Sequence, residues 1–196
     1  LVTGYFSSYF DWDMGPDTVT PGSGTYDCFV LKLSGAGQFL WVQRITGPGE
    51  DQDHGLAVDA ANNVYVTGMT SDDVSFGDGD TTLQFGGGVW DGYYAKYSAA
   101  GAFLWAKSST GSGMQRPFSV ACAGDRLYLF GSCKGTTTVN GTHTLTLPSN
   151  PMATYLCKTD TAGEVLWLKS QSAVGDMNGD VVRATDSSVY VFASFR

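Results

Sequence analysis

The sequence predicts an all-β chain of about three four-stranded antiparallel β-propeller blades with extra hairpin insertions, on three observations. Trp41, Trp105 and Trp167 recur 64 and 62 residues apart, each two residues beyond a large apolar residue and just after a glycine-ended turn. Lys32, Lys96 and Lys158 stand nine residues before these tryptophans, and Gly37, Gly101 and Gly163 stand four before them. No segment shows a sustained 3.6-residue apolar period, whereas short apolar alternations bounded by turn residues recur throughout. A landmark set that repeats in register is the signature of a repeat architecture. The units run over about 1–64, 65–128 and 129–190 and form one β-propeller region.

The middle unit shows the elements most clearly. Gly55 to Asp59 and Val64 to Gly68 flank the polar turn Ala60 to Asn63, a hairpin in which asparagine tolerates positive φ. A Gly- and Asp-rich excursion follows from Ser71 to Gly88, with apolar patches at Val74 to Phe76 and Leu83 to Phe85 that predict an added hairpin. Tyr93 to Tyr97 reads as a strand. Ser98-Ala99-Ala100-Gly101 is a turn with glycine at the left-handed position, and Phe103 to Lys107 is the returning strand. The first unit repeats this as Phe29 to Leu33, Ser34-Gly35-Ala36-Gly37 and Phe39 to Val42. The third does so as Tyr155 to Thr159, Asp160-Thr161-Ala162-Gly163 and Val165 to Leu168. Four main antiparallel strands per unit, at blade length and rich in glycine and aromatic landmarks, is the sequence pattern of a β-propeller.

Composition narrows the class. The 196 residues are 42% apolar and 15% charged, enough to bury a sizeable core, and 26 glycines suit a chain that turns often. No 18 apolar residues run together, so no membrane span is predicted. A net charge of −8 argues against binding nucleic acid through its phosphates, which needs a cationic face. Cys28, Cys122, Cys133 and Cys157 fall at different places in the unit and show no zinc-ligand spacing. Two readings stay open for them: one disulfide, with Cys133 to Cys157 favoured, or buried free thiols.

The run Leu56, Val58-Asp59, Asn63, Val64-Tyr65-Val66-Thr67-Gly68, then Asp91, Tyr94-Ala95-Lys96-Tyr97-Ser98, Gly101 and Leu104-Trp105 resembles the bacterial β-propeller repeat family SBBP. There a consensus close to "AVD..GNVYVTG" precedes "D.FVAKLS..G..LW". The first unit keeps Val2-Thr3-Gly4 and Asp27 to Ser34. The third departs, with Leu129-Phe130-Gly131 for the VTG element and Ala153 where Asp27 and Asp91 stand. The resemblance implies a secreted or surface-exposed bacterial protein whose propeller binds or scaffolds; it implies no catalytic activity.

Leu1 to Gly4 aligns with Tyr65 to Gly68 and again with the stretch around Val191 to Ala193, so the chain begins and ends at the same strand of the unit. Closed propellers have roughly four to eight blades. The expectation is a segment of a longer propeller, with ring completion by another copy as the alternative. Leu1 in place of Met points to a mature, trimmed or partial chain.

Three sets of residues are candidates for function. Glu50, Asp51 and Asp53 gather carboxylates before a strand, as Asp72, Asp73, Asp78 and Asp80 do in the excursion and Asp11, Asp13 and Asp17 in the first one. Oxygen-rich loops hold Ca²⁺ in other proteins, but the equivalent loops read Met114-Gln115-Arg116 and Asp176-Met177-Asn178, so no cofactor is expected and solvated acidic loops are the default. Asp27 and Asp91 precede the lysine strand at a fixed offset, where a carboxylate pins the turn by accepting backbone N–H bonds. The lysines themselves read as wet-face or edge residues. The repeated tryptophans read as packing between blades, whereas Tyr9, Phe10, Trp12 and Trp90 fall in variable excursions and are the candidate binding aromatics.

Catalysis finds little support. His54 and His143 occupy different places in the unit, and neither a nucleophile elbow nor a phosphate loop is present. The reading is a non-catalytic extracellular binding or scaffold module for a protein or carbohydrate at the cell surface. The alternative is a structural subunit of a larger extracellular or filamentous assembly. A carbohydrate-active enzyme is the lesser one, and it needs two carboxylates converging in a pocket about 5–10 Å apart.

Overall fold

Every regular element among the described residues is a strand, and the strands fall into blades in chain order. The structure, a computed structural model, describes residues 1–8, 25–77, 82–85, 89–147, 152–172, 177–185 and 187–195. The first blade has β1 (Val2–Phe6), β2 (Asp27–Leu33) and β3 (Phe39–Thr46). The second has β4 (Asp51–Val58) and β5 (Val64–Thr70), a small hairpin of β6 (Val74–Phe76) and β7 (Thr82–Leu83), then β8 (Asp91–Tyr97) and β9 (Phe103–Gly111). The third repeats it with β10 (Gln115–Ala123), β11 (Arg126–Cys133), the hairpin β12 (Thr136–Val139) and β13 (His143–Thr146), β14 (Ala153–Asp160) and β15 (Val165–Ser172). β16 (Met177–Ala184) and β17 (Val189–Phe195) make a two-stranded sheet equivalent to the first half of a blade.

The four main strands of a blade pair antiparallel in chain order, β4-β5-β8-β9 and β10-β11-β14-β15. The predicted turns close them. Gly37, Gly101 and Gly163 have φ of 81°, 89° and 86°, and their N–H groups bond back to Ser34, Ser98 and Asp160. The side chains of Ser34, Ser98 and Asp160 accept a further backbone N–H four residues on. Asn62 takes φ 62° in the turn between β4 and β5, as a residue tolerant of that region should. The first strands carry the same bulge, between Asp53 and Gly55, Pro117 and Ser119, and Gly179 and Val181. Gly55 is required there: a β-carbon would lie 2.8 Å from the Ser119 backbone, because β10 packs directly on β4. The first strands of successive blades, β4, β10 and β16, thus stand side by side, as strands around a propeller axis do.

The added hairpins depart from expectation. β6 pairs with β3 and β12 pairs with β9, so each hairpin extends the sheet of the preceding blade and not its own. The reason is edge coverage: the last strand of a blade presents unpaired N–H and C=O groups, and the next blade's excursion covers them. Val74 and Phe76, or Thr137 and Val139, turn inward from the covering strand.

Apolar cores lie at the junctions between blades. Cys28, Val30, Ile45, Val66, Phe76 and Tyr93 pack between the first and second, and Tyr65, Tyr94, Val120, Leu127 and Tyr155 between the second and third. Ala121, Tyr128, Phe130 and Val182 fill the next junction. All four cysteines are free. The favoured Cys133–Cys157 bridge is not formed, because Cys133 stands opposite Ala153 on β14 while Cys157 stands opposite Leu129.

The repeated lysines and tryptophans tie one blade to the next. Lys32 Nζ and Trp41 Nε1 both donate to the carbonyl of Ala99, at 2.7 and 3.2 Å, in the turn of the following blade. Lys96 Nζ reaches Thr161 O, the equivalent carbonyl, at 3.3 Å. The Trp41 indole lies on Gly101, where a β-carbon would stand 2.8 Å from the ring, and Trp105 lies on Gly163 with 3.0 Å. Lys32 and Lys96 are therefore neither edge residues nor wet-face residues. They sit on central strands, half-buried, with the ammonium delivered to a carbonyl by a snorkelling stem.

Trp105→Ala removes the indole from both its own blade and the next turn, and a loss of about 3 kcal/mol is expected in urea unfolding. Leu104→Ala, nearly half-exposed one residue earlier, should stay within about 0.5 kcal/mol of wild type.

Candidate functional site

The acidic run Glu50, Asp51, Asp53 is not a loop. β4 begins at Asp51, and its alternation places Asp51 and Asp53 on the buried face with Glu50 half-buried before them. Among the described residues no group of three His, Cys, Asp or Glu side chains is placed to hold a metal ion. In the excursion, Asp73 accepts the Phe85 N–H at 2.7 Å and Asp72 accepts that of Asp73, so these carboxylates shape the hairpin. Asp78 and Asp80, like Asp11, Asp13, Asp17, Tyr9, Phe10 and Trp12, lie outside the described residues.

Asp53 sits between blades. The Tyr93 hydroxyl on β8 donates to Oδ1, and Oδ2 lies 2.6 Å from Thr3 Oγ1 on β1. Thr3 Oγ1 is also 2.8 Å from the Phe29 carbonyl. Thr3 has one hydroxyl proton and Phe29 O can only accept, so the full set closes when Asp53 is a neutral acid that donates from Oδ2 to Thr3. Burial points the same way: it pushes Asp53 up to about 7, against the opposing hydrogen bonds from Thr3 and Tyr93. Asp51 is pushed to about 7 by burial and by the Asp27 and Asp53 charges, with Thr70 and the Gly47 backbone opposing. Cys28, in the same cluster, is raised well above its ordinary value, first by burial and then by Asp53.

Asp27 and Asp91 open β2 and β8 and are buried. Burial raises Asp91 to about 6 while the Gly111 backbone N–H opposes. Ala153 fills that place in the third blade. Gln115 stands where Asp51 does, and Pro117 where Asp53 does, so the carboxyl cluster belongs to the first junction alone.

Trp90 does not stand at the tip of an excursion. It immediately precedes Asp91, as Tyr26 precedes Asp27, and its carbonyl accepts the Gln115 N–H at 2.7 Å just as Tyr26 O accepts that of Asp51 at 2.9 Å. Its backbone is a tie between blades, and its side chain is half-buried. From Gln115 the contacts run on: the Arg116 guanidinium lies 5.5 Å from the Phe118 ring, which meets the His54 ring edge-on at 6.2 Å. His54 is held below its ordinary pKa by burial and then by the Arg116 charge, so it is a neutral imidazole beside a cation. The patch therefore brings one fixed positive charge against two half-buried rings, Phe118 and His54, with His54 Nε2 and Arg116 Nε buried and without a hydrogen-bond partner. Sequence reasoning missed Arg116 and Phe118. Their signal was placement: they share a strand position with Gln52 and His54, and no chemistry repeats between the two.

The pKa shifts set a pH dependence. In the unfolded chain Asp51 and Asp53 ionise near 3.8, and in the folded chain near 7, so between these values the folded chain holds more protons. Stability is therefore greatest below about pH 4 on this account and falls as pH rises to about 7. Asp53→Asn keeps the donor to Thr3 and the acceptor for Tyr93, so urea titrations should show a flatter profile and a gain of about 1–2 kcal/mol at pH 8.

Comparison with known proteins agrees with this architecture. Residues 40–73 match the family model described as the SBBP β-propeller repeat, a stretch that runs from β3 through β4 and β5 to the residue before β6. An uncharacterized WD repeat-containing protein of Acanthamoeba polyphaga mimivirus is 26% identical over 170 residues, covering 79% of this chain. The chain spans 12% of that relative's length. The recurring landmarks and the blades they build are those of β-propeller repeats, and the stretch 40–73 among them matches the SBBP repeat.

Proposed function

We propose that the chain is a non-catalytic binding or scaffold module that engages a protein or carbohydrate at or beyond the cell surface, through the patch running from Trp90 to His54. The observation that carries this reading is a division of labour. Residues that recur in every unit are consumed by packing between blades, whereas Arg116, Phe118 and His54 occupy matching strand positions without matching chemistry. A position released from the repeat's packing rules is free to serve a ligand. WD repeats build propellers too, and the WD repeat-containing relative supports an interaction role of this kind.

The carboxylates that come together do so in the interior. The clefts beside Tyr155 and Val120 have no carboxylate in their walls. The surface location rests on the resemblance of the repeats alone.

A glycan array and a displayed-peptide library provide the ligands for the test. Phe118→Ala, Arg116→Ala and Trp90→Ala should each weaken the selected binder at least about tenfold, as central aromatic and arginine anchors do. Binding that all three variants retain in full would place the site elsewhere.

A further inference from the structure

The two added hairpins each need a left-handed residue directly after the strand that covers the preceding blade, and they fill that place differently. After β6 it is Gly77, with φ 77°, whose N–H bonds to Arg44 O at 2.7 Å. After β12 it is Asn140, with φ 51°, whose N–H bonds to Ser108 O at 2.8 Å. Glycine takes this conformation without strain, and asparagine is among the few side-chain-bearing residues that follow it readily. What asparagine adds is its amide. Asn140 Nδ2 donates to Glu164 Oε2 at 3.2 Å, while Lys107 Nζ on β9 holds Oε1 of the same carboxylate at 3.0 Å. Glu164 follows the Gly163 turn of the third blade, so one carboxylate ties the hairpin tip and the outer strand of the second blade to the third. Ala102 stands where Glu164 does in the unit before, and the first junction lacks this tie.

The same turn sets the Asn140 side chain next to an accessible nucleophile. Gly141 is exposed, at φ 65°, with nothing within 4 Å of where its β-carbon would be. Among the described residues no backbone bond engages its N–H, and the bond across the turn, from Thr142 N–H to Val139 O, is long at 3.2 Å. The backbone rotation that brings the Gly141 nitrogen onto Asn140 Cγ therefore meets no side chain and breaks little. Asn62 is a natural comparison. It has the same left-handed backbone, with φ 62°, but the following residue is Asn63, which carries a β-carbon and whose N–H is held by Asp59 Oδ1 at 2.9 Å.

We propose that Asn140 is a modification site, at which water converts the side-chain amide to a carboxylate and so undoes the tie to Glu164. The Gly141 nitrogen gives its proton to solvent and attacks Asn140 Cγ. An N–C bond forms, the Cγ–Nδ2 bond breaks, and the amide nitrogen leaves as ammonia with protons taken from solvent. Water then adds to either carbonyl of the cyclic imide and cleaves one C–N bond, which gives aspartate or isoaspartate. The chain stays unbroken and nothing is oxidised. Either product sets a carboxylate against Glu164 where an N–H donor stood, and like charges at that distance repel. The hairpin tip then loses its hold on the third blade, and the outer edge of β9 is covered less firmly.

Peptide mapping by mass spectrometry of the folded chain, stored in mildly alkaline buffer, tests the chemistry. The peptide holding Asn140 should gain the mass of NH exchanged for O and separate into two products. It should do so at least about tenfold faster than the peptide holding Asn62, because glycine has no β-carbon to hinder ring closure. Asn140→Gln lengthens the side chain by one carbon, which slows ring closure, and its peptide should stay unchanged. Hydrogen exchange tests the consequence. Asn140→Asp supplies one product directly, and its β12 amides should exchange about threefold faster than those of wild type, as the loss of an exposed polar tie allows. Asn140→Gln keeps an N–H donor and should exchange as wild type does. An Asn140 that stays intact in the folded chain, or converts no faster than Asn62, overturns the proposal. So does an Asn140→Asp chain whose β12 amides exchange as slowly as those of wild type.

Discussion

The seating of a tryptophan on the glycine turn of the next blade is the contact on which the rest of the structure depends. A β-blade is a sheet with two faces and two edges, and it buries neither face without a neighbour. The tie sets how that neighbour is placed. Gly101 and Gly163 provide the flat, left-handed surface that admits an indole, and the adjoining carbonyls of Ala99 and Thr161 take the lysine charge. With the turn held there, the inner strands β4, β10 and β16 are brought together, and the bulge at Gly55 allows the close approach. The hairpins then reach back to cover the outer edges. Cohesion is therefore a property of junctions, as in other repeat proteins whose stability sums over neighbouring units.

This arrangement explains where variation is tolerated. The first junction carries a hydrogen-bonded acid, Asp53, shared between Thr3 and Tyr93, and the second carries Pro117 at that place. Both satisfy the same bulge, so the tie is unaffected by the exchange. A buried carboxyl costs stability when ionised, and the network around Asp53 is closed only for the neutral form. His54 and Phe118 are the extra residues of the bulges in β4 and β10, and the bulge fixes the backbone there without fixing the kind of side chain.

Much of the fold was legible because its determinants are local. Val64 to Thr67, Tyr93 to Tyr97 and the Ser98 to Gly101 turn show in alternation and in glycine placement, and each is a strand or turn in the structure. What a landmark touches was not legible, since Trp41 meets a residue 60 positions away in another blade. Asp51 and Asp53 looked like an acidic loop because two buried carboxyls break the apolar alternation that marks a strand. Lys32 looked solvent-facing because its partner is a backbone carbonyl, which leaves no trace in side-chain pattern. The hairpin strand β6 was visible at Val74 to Phe76, but its destination on β3 follows from an edge that only the assembled sheet defines.

The most direct test of the tie between blades is proton NMR of the folded chain. The Trp41 ring protons should show cross-relaxation to the Gly101 α-protons, and those of Trp105 to Gly163, with the Trp41 indole N–H protected from solvent exchange by its bond to Ala99. Tryptophan rings that contact only residues of their own blade, with a freely exchanging Trp41 N–H, would contradict the account.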